Sequence, residues 1–325
     1  MMQINAVSLH RQAKDLLSGQ EASPKKLMLL HTAVSLGTTL LTTTIGFLLS
    51  RQIADTGGLS GMAARSILTT VQSVLELAVI MLLPFWEIGI LRAALNWRRG
   101  ENADVSHLAE GFRRFGSVLG LQFWSGAMYI AAGFAAFYCS MFFFLMTPWA
   151  HTTNEIFAQL PQFSTMEELL ALMTPELTAQ LTKRMLPMFI LFGLLFTAVC
   201  IFLFYRVRFG DFFVMEGDEG IKAMVKSFRL TRGNCLQLLK LDLHFWWFYL
   251  LQGLSVVISY GDGLLTAMGV SLPFGRDGSF FLFYITGILL QGILFWLFNA
   301  ERLTTYCLAF DAFRPPEPSQ LPQKM

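Results

Sequence analysis

The chain has 325 residues, of which 54% are hydrophobic and 14% charged, and its formal net charge is +2. A composition this apolar, with 31 Phe and 16 Met, excludes an intrinsically disordered chain and predicts a helical membrane protein. The small net charge gives no reason to expect nucleic acid as a partner. The four cysteines lie in apolar runs or on the side predicted below to be cytoplasmic, so no structural disulfide is expected, and without C-x-x-C spacing no zinc or redox site is expected either. No cofactor is expected.

Six apolar runs divide the chain, and each is long enough to cross the ~30 Å hydrocarbon core of a bilayer. They are 27–50, 67–93, 117–146, 186–207, 236–260 and 280–310. Because lipid offers the backbone no hydrogen bonds, we expect all six to be helices. The predicted layout is a segment 1–26 with a short interfacial helix, a membrane domain 27–312 with an outer loop 147–185, and a Pro-rich tail 313–325.

The Lys and Arg residues between the runs lie mostly on alternate sides. Eighteen of the 24 fall in the N-terminal segment, in the loops after the second and fourth runs, and near the C-terminus. Because short loops rich in Lys and Arg remain in the cytoplasm, both termini and these two loops are predicted to be cytoplasmic.

The outer loop contains two signals for a helix start. Ser164-Thr165-Met166-Glu167 has the spacing of a capping box. Thr174-Pro175-Glu176 places Pro at a first helical position, and we expect this second helix to continue into the fourth apolar run.

The two long cytoplasmic loops share one apolar register at an offset of 116 residues. The apolar positions are Val105, Leu108, Ala109 and Phe112 in the first loop, and Ile221, Met224, Val225 and Phe228 in the second. This spacing predicts two amphipathic elbow helices in the inner headgroup layer, ending at Gly116 and Gly233. A duplicated helix–elbow–helix unit and two loops that solve the same interfacial problem both explain the match. Lys222, Lys226 and Arg229 form the predicted headgroup-binding face of the second elbow.

The second elbow and the helix after it resemble a bacterial family of membrane proteins. The similar residues are Ala223, Ser227, Gly233 and the aromatic cluster Phe245-Trp246-Trp247, with Arg99-Gly100-Glu101 and Gly111-Phe112 resembling the family's first elbow. The family is domain of unknown function 975, which is related to membrane domains beside glycerophosphodiester phosphodiesterases. The resemblance covers roughly residues 27–312 and implies a multi-pass protein of a bacterial plasma membrane.

No enzymatic activity is expected. Phosphodiesterase chemistry needs a soluble barrel of roughly 250 residues, whereas the longest predicted non-membrane stretch, 147–185, has 39. Motifs for a P-loop, a zinc protease and a serine hydrolase are also missing from the sequence.

Two carboxylates lie within the second apolar run, where ionisable groups are costly and often functional. Glu76 is interpreted either as a proton- or cation-binding carboxylate or as a hydrogen-bonded or protonated group facing other helices. Glu87, one turn after Pro84, is expected to pair with a basic residue at the inner interface, with a transport site as the alternative.

Polar residues near the inner ends of the helices form a second candidate site. Asp242 and His244 open the fifth run and are expected to pair with polar residues of other helices. The candidate inner-interface partners are Arg92, Arg208, Asp211, Glu301 and Arg302. A joint polar cluster of helices 2, 4, 5 and 6 and a set of independent helix anchors both fit the pattern.

A stripe of hydroxyl side chains follows the first helix, with His31 near its inner end. Its members are Ser35, Thr38, Thr39, Thr42 and Thr43. Such residues either pack against neighbouring helices or line a wet cavity. Gly287, Gln291 and Gly292 in the last helix, and the run 131–136 in the third, are interpreted as close-packing surfaces.

Together these features predict an all-α, polytopic membrane protein with six transmembrane helices, two cytoplasmic elbow helices and both termini inside. The leading functional hypothesis is binding or transport of a lipid or another amphipathic small molecule. The alternative is an accessory membrane subunit that assembles with a partner membrane protein or with a second copy of itself.

Overall fold

The computed structural model describes residues 5–20, 24–55, 59–148, 150–151, 175–267 and 275–314. Within this part of the chain the secondary structure is helical and contains no strand, as the sequence predicts.

Twelve α-helices and one 3₁₀ helix are described. They are α1 (Ala6–Ser18), α2 (Pro24–Asp55), α3 (Leu59–Arg98), the 3₁₀ helix (Val105–Ala109), α4 (Glu110–Arg113), α5 (Phe115–Leu145), α6 (Pro175–Val207), α7 (Gly210–Glu216), α8 (Gly220–Thr231), α9 (Cys235–His244), α10 (Trp246–Ser259), α11 (Gly261–Ala267) and α12 (Gly275–Phe313).

Five described helical stretches are long and apolar enough to cross a membrane. They are Pro24–Leu48, Ser66–Arg98, Phe115–Leu145, Thr182–Glu216 and Gly278–Phe313. The predicted fifth helix is not straight, because α9 and α10 meet at a 69° bend. Counted as one broken span, this pair gives the sixth crossing.

The helix start at Pro175 is confirmed, since α6 runs from there to Val207 without a break. The outer loop is therefore shorter than the predicted 147–185, because its last residues already belong to α6. The capping box predicted at 164–167 and the tail from residue 315 lie outside the described residues.

The chain divides into two compact units, Met1–Leu121 with Phe209–Met325, and Gln122–Arg208. In the first unit α2, α3 and α12 pack against one another, and α10 packs along α12. Gly287 and Gly292 allow this close approach: an added Cβ would lie 2.5 Å from the Ser255 carbonyl oxygen and 2.3 Å from the Leu36 side chain, respectively. The prediction of close packing at these two glycines is confirmed.

The second unit pairs the greater part of α5 with α6. Phe192 of α6 contacts Phe137 of α5 with ring centroids 6.1 Å apart, and Gly133 lies against Phe196. Ala132 and Ala136 are buried. The small-residue surface predicted on this helix therefore faces a neighbouring helix along part of its length.

The first elbow is shorter and less regular than predicted. Asp104 caps the 3₁₀ helix by accepting a 3.0 Å hydrogen bond from the Ser106 amide, and α4 adds a single turn. Gly116 does not end this elbow, because it lies inside α5 in a conformation open to any residue. The left-handed glycine of this region is Gly100, with φ +73°, which ends α3.

The second elbow is the predicted amphipathic helix, α8. It is bounded by two left-handed glycines, Gly217 with φ +116° and Gly233 with φ +82°. Its buried residues are small: Gly220, Ala223, Ser227 and Thr231. The apolar residues Ile221 and Val225 are 50% and 41% exposed, whereas Met224 and Phe228 are partly buried, so the apolar face is exposed along one side.

The predicted N-terminal helix is also present. Asn5 caps α1 by accepting hydrogen bonds from the amides of Val7 and Ser8. Ala13 is fully buried, and α1 packs against α12. The helix is therefore docked on the membrane helices along one side.

Candidate functional site

A polar cavity of about 130 Å³ lies between α2, α3 and α12. Its polar wall consists of His31, Thr32, Ser35, Thr39, Glu87 and Gln291, and its apolar wall of Leu36, Leu83, Ile288, Gly292 and Phe295. His31, Ser35 and Thr39 follow one another at steps of four residues, so one face of α2 supplies them all. The cavity is thus built into the part of the molecule that is apolar enough to span a membrane.

Several polar atoms of the cavity wall have no protein partner. Neither ring nitrogen of His31 has a hydrogen-bond partner among the described residues, although this side chain is only 3% exposed. The hydroxyls of Thr32 and Ser35 are also buried without a hydrogen-bond partner among the described residues. Since a buried polar group without a partner costs about 1–3 kcal/mol, this wall has an unused capacity to bind a polar ligand.

The end of α2 near the cavity is fixed by two tryptophans. The Trp86 indole N–H donates to the His31 carbonyl at 3.2 Å, and the Trp296 indole N–H donates to the Lys25 carbonyl at 3.1 Å. The Trp86 ring stacks on the His31 imidazole with centroids 5.7 Å apart and planes 8° apart. These contacts fix the orientation of His31 without using its ring nitrogens.

The predicted hydroxyl stripe serves both of its proposed purposes. Farther along α2, Thr43 bonds the Tyr284 hydroxyl at 2.8 Å, and Thr38 and Thr42 donate to carbonyls of their own helix. Nearer the start of α2, Ser35 and Thr39 line the cavity. Packing and cavity lining therefore occupy different parts of one stripe.

Glu87 lies on the cavity wall and has no basic partner among the described residues. The expected ion pair is thus wrong for the described part of the chain, because the nearest basic residue along α3, Arg92, donates to the Met215 carbonyl instead, at 3.3 Å. Glu76 lies in α3, but its side chain falls outside the described residues.

Asp242 and His244 lie just before the bend between α9 and α10, and each bonds other helices. Asp242 accepts a 2.6 Å hydrogen bond from the Tyr249 hydroxyl and another from the Tyr306 hydroxyl. His244 contacts His10 at 2.9 Å, and His10 in turn contacts Glu301 at 3.1 Å. The expected pairing with the polar end of another helix is present, and it passes through tyrosines and through a histidine of α1.

Arg302 joins the same group of side chains. Its guanidinium donates to the Asn299 side-chain oxygen at 2.8 Å and to the Tyr249 hydroxyl at 3.4 Å, and it lies 5.1 Å from the Phe248 ring centroid. Cation–π contact and hydrogen bonding together hold this charge within the helices. The arrangement ties α9, α10 and α12 together at the bend.

A second polar group surrounds the end of α7. Arg98 approaches Asp311 at 2.7 Å and Glu216 at 3.7 Å, and Arg314 also bonds Glu216. Arg92 and Arg114 donate to the last carbonyls of α7, those of Met215 and Val214. Positive charge at a helix C-terminus complements the helix dipole.

The residues interpreted as one polar cluster of helices 2, 4, 5 and 6, or as independent helix anchors, fall mainly into two clusters. Arg92 belongs to the one around α7, and Asp242, His244, Glu301 and Arg302 to the one at the bend. Asp211 lies in the first turn of α7. Arg208 lies over the Phe204 ring of its own segment, 4.7 Å from the centroid.

The basic face of the second elbow is partly neutralised. Lys226 binds Asp218 at 2.6 Å, and Lys222 binds Glu219 at 2.9 Å, a contact that raises the pKa of Lys222. Arg229 and Arg232 have no acidic partner in the described ranges, and they line an open groove of about 710 Å³ together with Arg314. Two unpaired guanidinium groups remain to meet anions at this surface.

Within the described residues, no group of three or more His, Cys, Asp and Glu side chains is placed to hold a metal ion.

Two of the site residues that sequence reasoning missed show why it did so. His10 lies in the N-terminal segment, and nothing local in the sequence reports that α1 docks on α12. Gln291 was interpreted as part of a packing surface, although an amide in the middle of an apolar run is itself a signal of a polar cavity.

Comparison with known proteins identifies no relative of this chain. No family model matches it, and neither a curated protein nor a solved structure does so. The geometry of the sites therefore supplies the argument for function.

Proposed function

We propose that this chain is a non-enzymatic membrane protein with six transmembrane segments and both termini in the cytoplasm. Its proposed function is to bind, and to carry within the bilayer, a lipid or another amphipathic small molecule. The observation that supports the proposal is the polar cavity between α2, α3 and α12, with its buried, unpartnered His31. A plasma-membrane location and the suspected family belong to the same proposal.

The surroundings of the cavity fit an amphipathic ligand. The polar wall would take the polar end of the ligand, and the apolar residues Leu36, Leu83 and Phe295 lie beside it. Large apolar side chains of the spanning helices, such as Leu82 and Leu289, are exposed and would face lipid chains. A ligand could therefore keep its tail in the bilayer while its polar end satisfies the cavity.

Native mass spectrometry of the protein extracted from its own membrane in mild detergent tests the proposal. Ser35→Leu should fill much of the cavity and lower the retained small molecule at least tenfold. Thr38→Leu is the matched control, because Thr38 lies on the same helix but not on the cavity wall, and it should retain the ligand.

A second variant separates cavity chemistry from cavity size. Gln291→Leu keeps nearly the same volume but removes the amide, so retention should again fall. If wild type, Ser35→Leu and Gln291→Leu all retain the same amount of the bound small molecule, with unchanged thermal stability, the proposal is refuted.

A second candidate function, that of an accessory subunit, has one observation in its favour. The hydroxyl residues Ser66, Thr69, Thr70 and Ser73 form an exposed groove on α3 together with Val74 and Leu77. Hydroxyl stripes in lipid commonly contact another helix. A stoichiometric second protein in the same mass spectra, lost in Ser73→Leu, would favour this function.

A further inference from the structure

We propose that the cavity binds the primary ammonium end of its ligand, either the ethanolamine headgroup of a phospholipid or a free alkylamine. This inference rests on the proposed function and specifies the ligand class. It follows from the charge, the hydrogen-bonding groups, the size and the position of the cavity, which are taken in turn.

The charge of the wall favours a cation. Glu87 is the one acidic side chain on the described wall, and no Lys or Arg lies there. A carboxylate that is buried between helices without a partner is costly, and a ligand of opposite charge compensates for that cost. A phosphate or carboxylate ligand would instead be repelled by Glu87 and would meet no cation.

The hydrogen-bonding groups favour a primary amine. An ammonium group has three N–H donors and no acceptor. The wall offers acceptors in the His31 ring, the Thr32 and Ser35 hydroxyls and the Gln291 amide oxygen, and the first three are buried without partners in the described structure. A quaternary ammonium carries no N–H donor and would leave them unsatisfied.

The size of the cavity matches a short polar arm. Its volume of about 130 Å³ is well above the ~10–15 Å³ that a single water needs. An ethanolamine arm has four non-hydrogen atoms, so it can enter this space. Three additional N-methyl groups would nearly double the number of atoms that must enter.

The position of the cavity matches headgroup depth. Gly89 and Phe85 of α3 contact the first elbow, and Glu87 lies about 200° around the helix from Gly89. Cavity and elbow therefore lie at the same level of α3, on opposite faces. In the proposed orientation that level is the inner headgroup layer, where an ethanolamine group of a phospholipid resides.

The experiment uses the full chain in nanodiscs that contain equal parts of ethanolamine, choline and glycerol phospholipids with identical acyl chains. Native mass spectrometry then counts the lipids that remain bound after the disc is released. The expected result is at least a tenfold enrichment of the ethanolamine lipid over the choline lipid on wild-type protein. Glu87→Gln should reduce the enrichment to within twofold, and Glu101→Gln, which removes an exposed charge outside the helices, should leave it unchanged.

A second arm distinguishes the two sources of the ammonium group. Butylamine is titrated into protein in discs without ethanolamine lipid, and the midpoint of thermal unfolding is followed. A saturable rise that is absent in Glu87→Gln, with no lipid enrichment in the first arm, supports the free-amine ligand.

The outcomes separate this inference from the proposed function. Cavity-dependent lipid binding without preference among the three headgroups, and without a butylamine effect, overturns the ammonium assignment and leaves lipid binding standing. Absence of cavity-dependent binding of any lipid or amine overturns both. The wild-type preference is informative even if Glu87→Gln fails to fold.

Discussion

The two elbows carry the same apolar register but are held in place by different contacts. The first is a short 3₁₀ and α turn whose backbone touches the backbone of α3 at two glycines. A Cβ added at Gly111 would lie 1.9 Å from the Phe85 carbonyl oxygen, and a Cβ added at Gly89 would lie 2.0 Å from the Leu108 carbonyl oxygen. The second is a regular helix in which the Ser227 hydroxyl accepts a 3.1 Å hydrogen bond from the Phe209 amide. The shared pattern therefore does not predict the inner contacts: Leu108 of the first elbow is fully buried, whereas Ile221 and Val225 of the second are exposed.

This difference bears on the proposed duplication. At the offset of 116 residues, Gly111 aligns with Ser227, and its contact Phe85 aligns with Ile201. The Ser227 hydroxyl bonds the Phe209 amide, whereas Gly111 lies against the Phe85 carbonyl oxygen. A duplication and two independent loops both stay hypotheses.

The largest expected effect is at the first elbow. Gly111→Ala should lower the free energy of unfolding by about 3 kcal/mol, because the added methyl meets a backbone oxygen that no side-chain rotation can move. Equilibrium unfolding in mixed detergent micelles measures it. Gly116→Ala is the control, since nothing lies within 4 Å of its Cβ position, and it should be neutral or slightly stabilising.

The corresponding substitution in the second elbow should lower the free energy of unfolding by a smaller amount. Gly220→Ala places a methyl 2.5 Å from the Leu121 amide nitrogen and the Ser117 carbonyl oxygen of α5, and we expect a loss of about 2 kcal/mol. The same unfolding assay applies, with Gly193→Ala in an open position of α6 as control. A loss larger than that for Gly111→Ala would contradict the view that the first elbow has the closer backbone contact.

A smaller effect is expected where the two elbow regions meet. Arg114, directly after α4, donates to the Val214 carbonyl at 3.1 Å and lies 3.7 Å from Glu110. Its exposed neighbour Arg113 contacts Glu110 as well, and no second partner of Arg113 is found among the described residues. Arg114→Met should destabilise the protein by about 1.5 kcal/mol, the value of a charged hydrogen bond. Arg113→Met should change the free energy of unfolding by less than about 0.5 kcal/mol, and equal losses for both would show that the bond to Val214 contributes nothing.

The smallest effect is a pH dependence confined to the first elbow. The hydrogen bond from the Ser106 hydroxyl holds the pKa of Asp104 below its ordinary value. The stability that the ionised Asp104 carboxylate gives the folded protein is therefore complete above the ordinary pKa of about 4. It is lost as the pH falls through the lowered pKa. Asp104→Asn keeps a capping side chain but does not titrate, so the unfolding temperatures of the two proteins should converge as the pH falls from about 5 to 2. Parallel curves over that range would exclude this contribution.

Local sequence signals predicted the helices well. Five of the six apolar runs each correspond to one described helix, and the fifth run corresponds to the bent pair α9 and α10, because hydropathy and length are properties of the segment itself. Pro175 and Gly233 mark real helix boundaries, because a fixed φ and a left-handed φ are local requirements. The left-handed Gly100 at the end of α3 obeys the same rule.

The features that sequence reasoning missed depend on distant contacts. The bend at Phe245 accompanies hydrogen bonds from Asp242 to Tyr249 and Tyr306, and hydropathy contains no information about such partners. Gly116 and Gly111 look equivalent in the sequence, yet only Gly111 lies against α3. The cavity likewise needed three helices to be placed together, although His31, Glu87 and the hydroxyl stripe were all identified beforehand.

The stacking of Trp86 on His31 gives the cavity its own optical reporter. A protonated imidazole in contact with an indole quenches its emission, and a ligand that alters the charge or position of His31 would change that quenching. The difference in emission between wild type and Trp86→Phe isolates this signal from the other six tryptophans. Titration of a candidate ligand into the purified protein can thus be followed by this difference in emission, without a label.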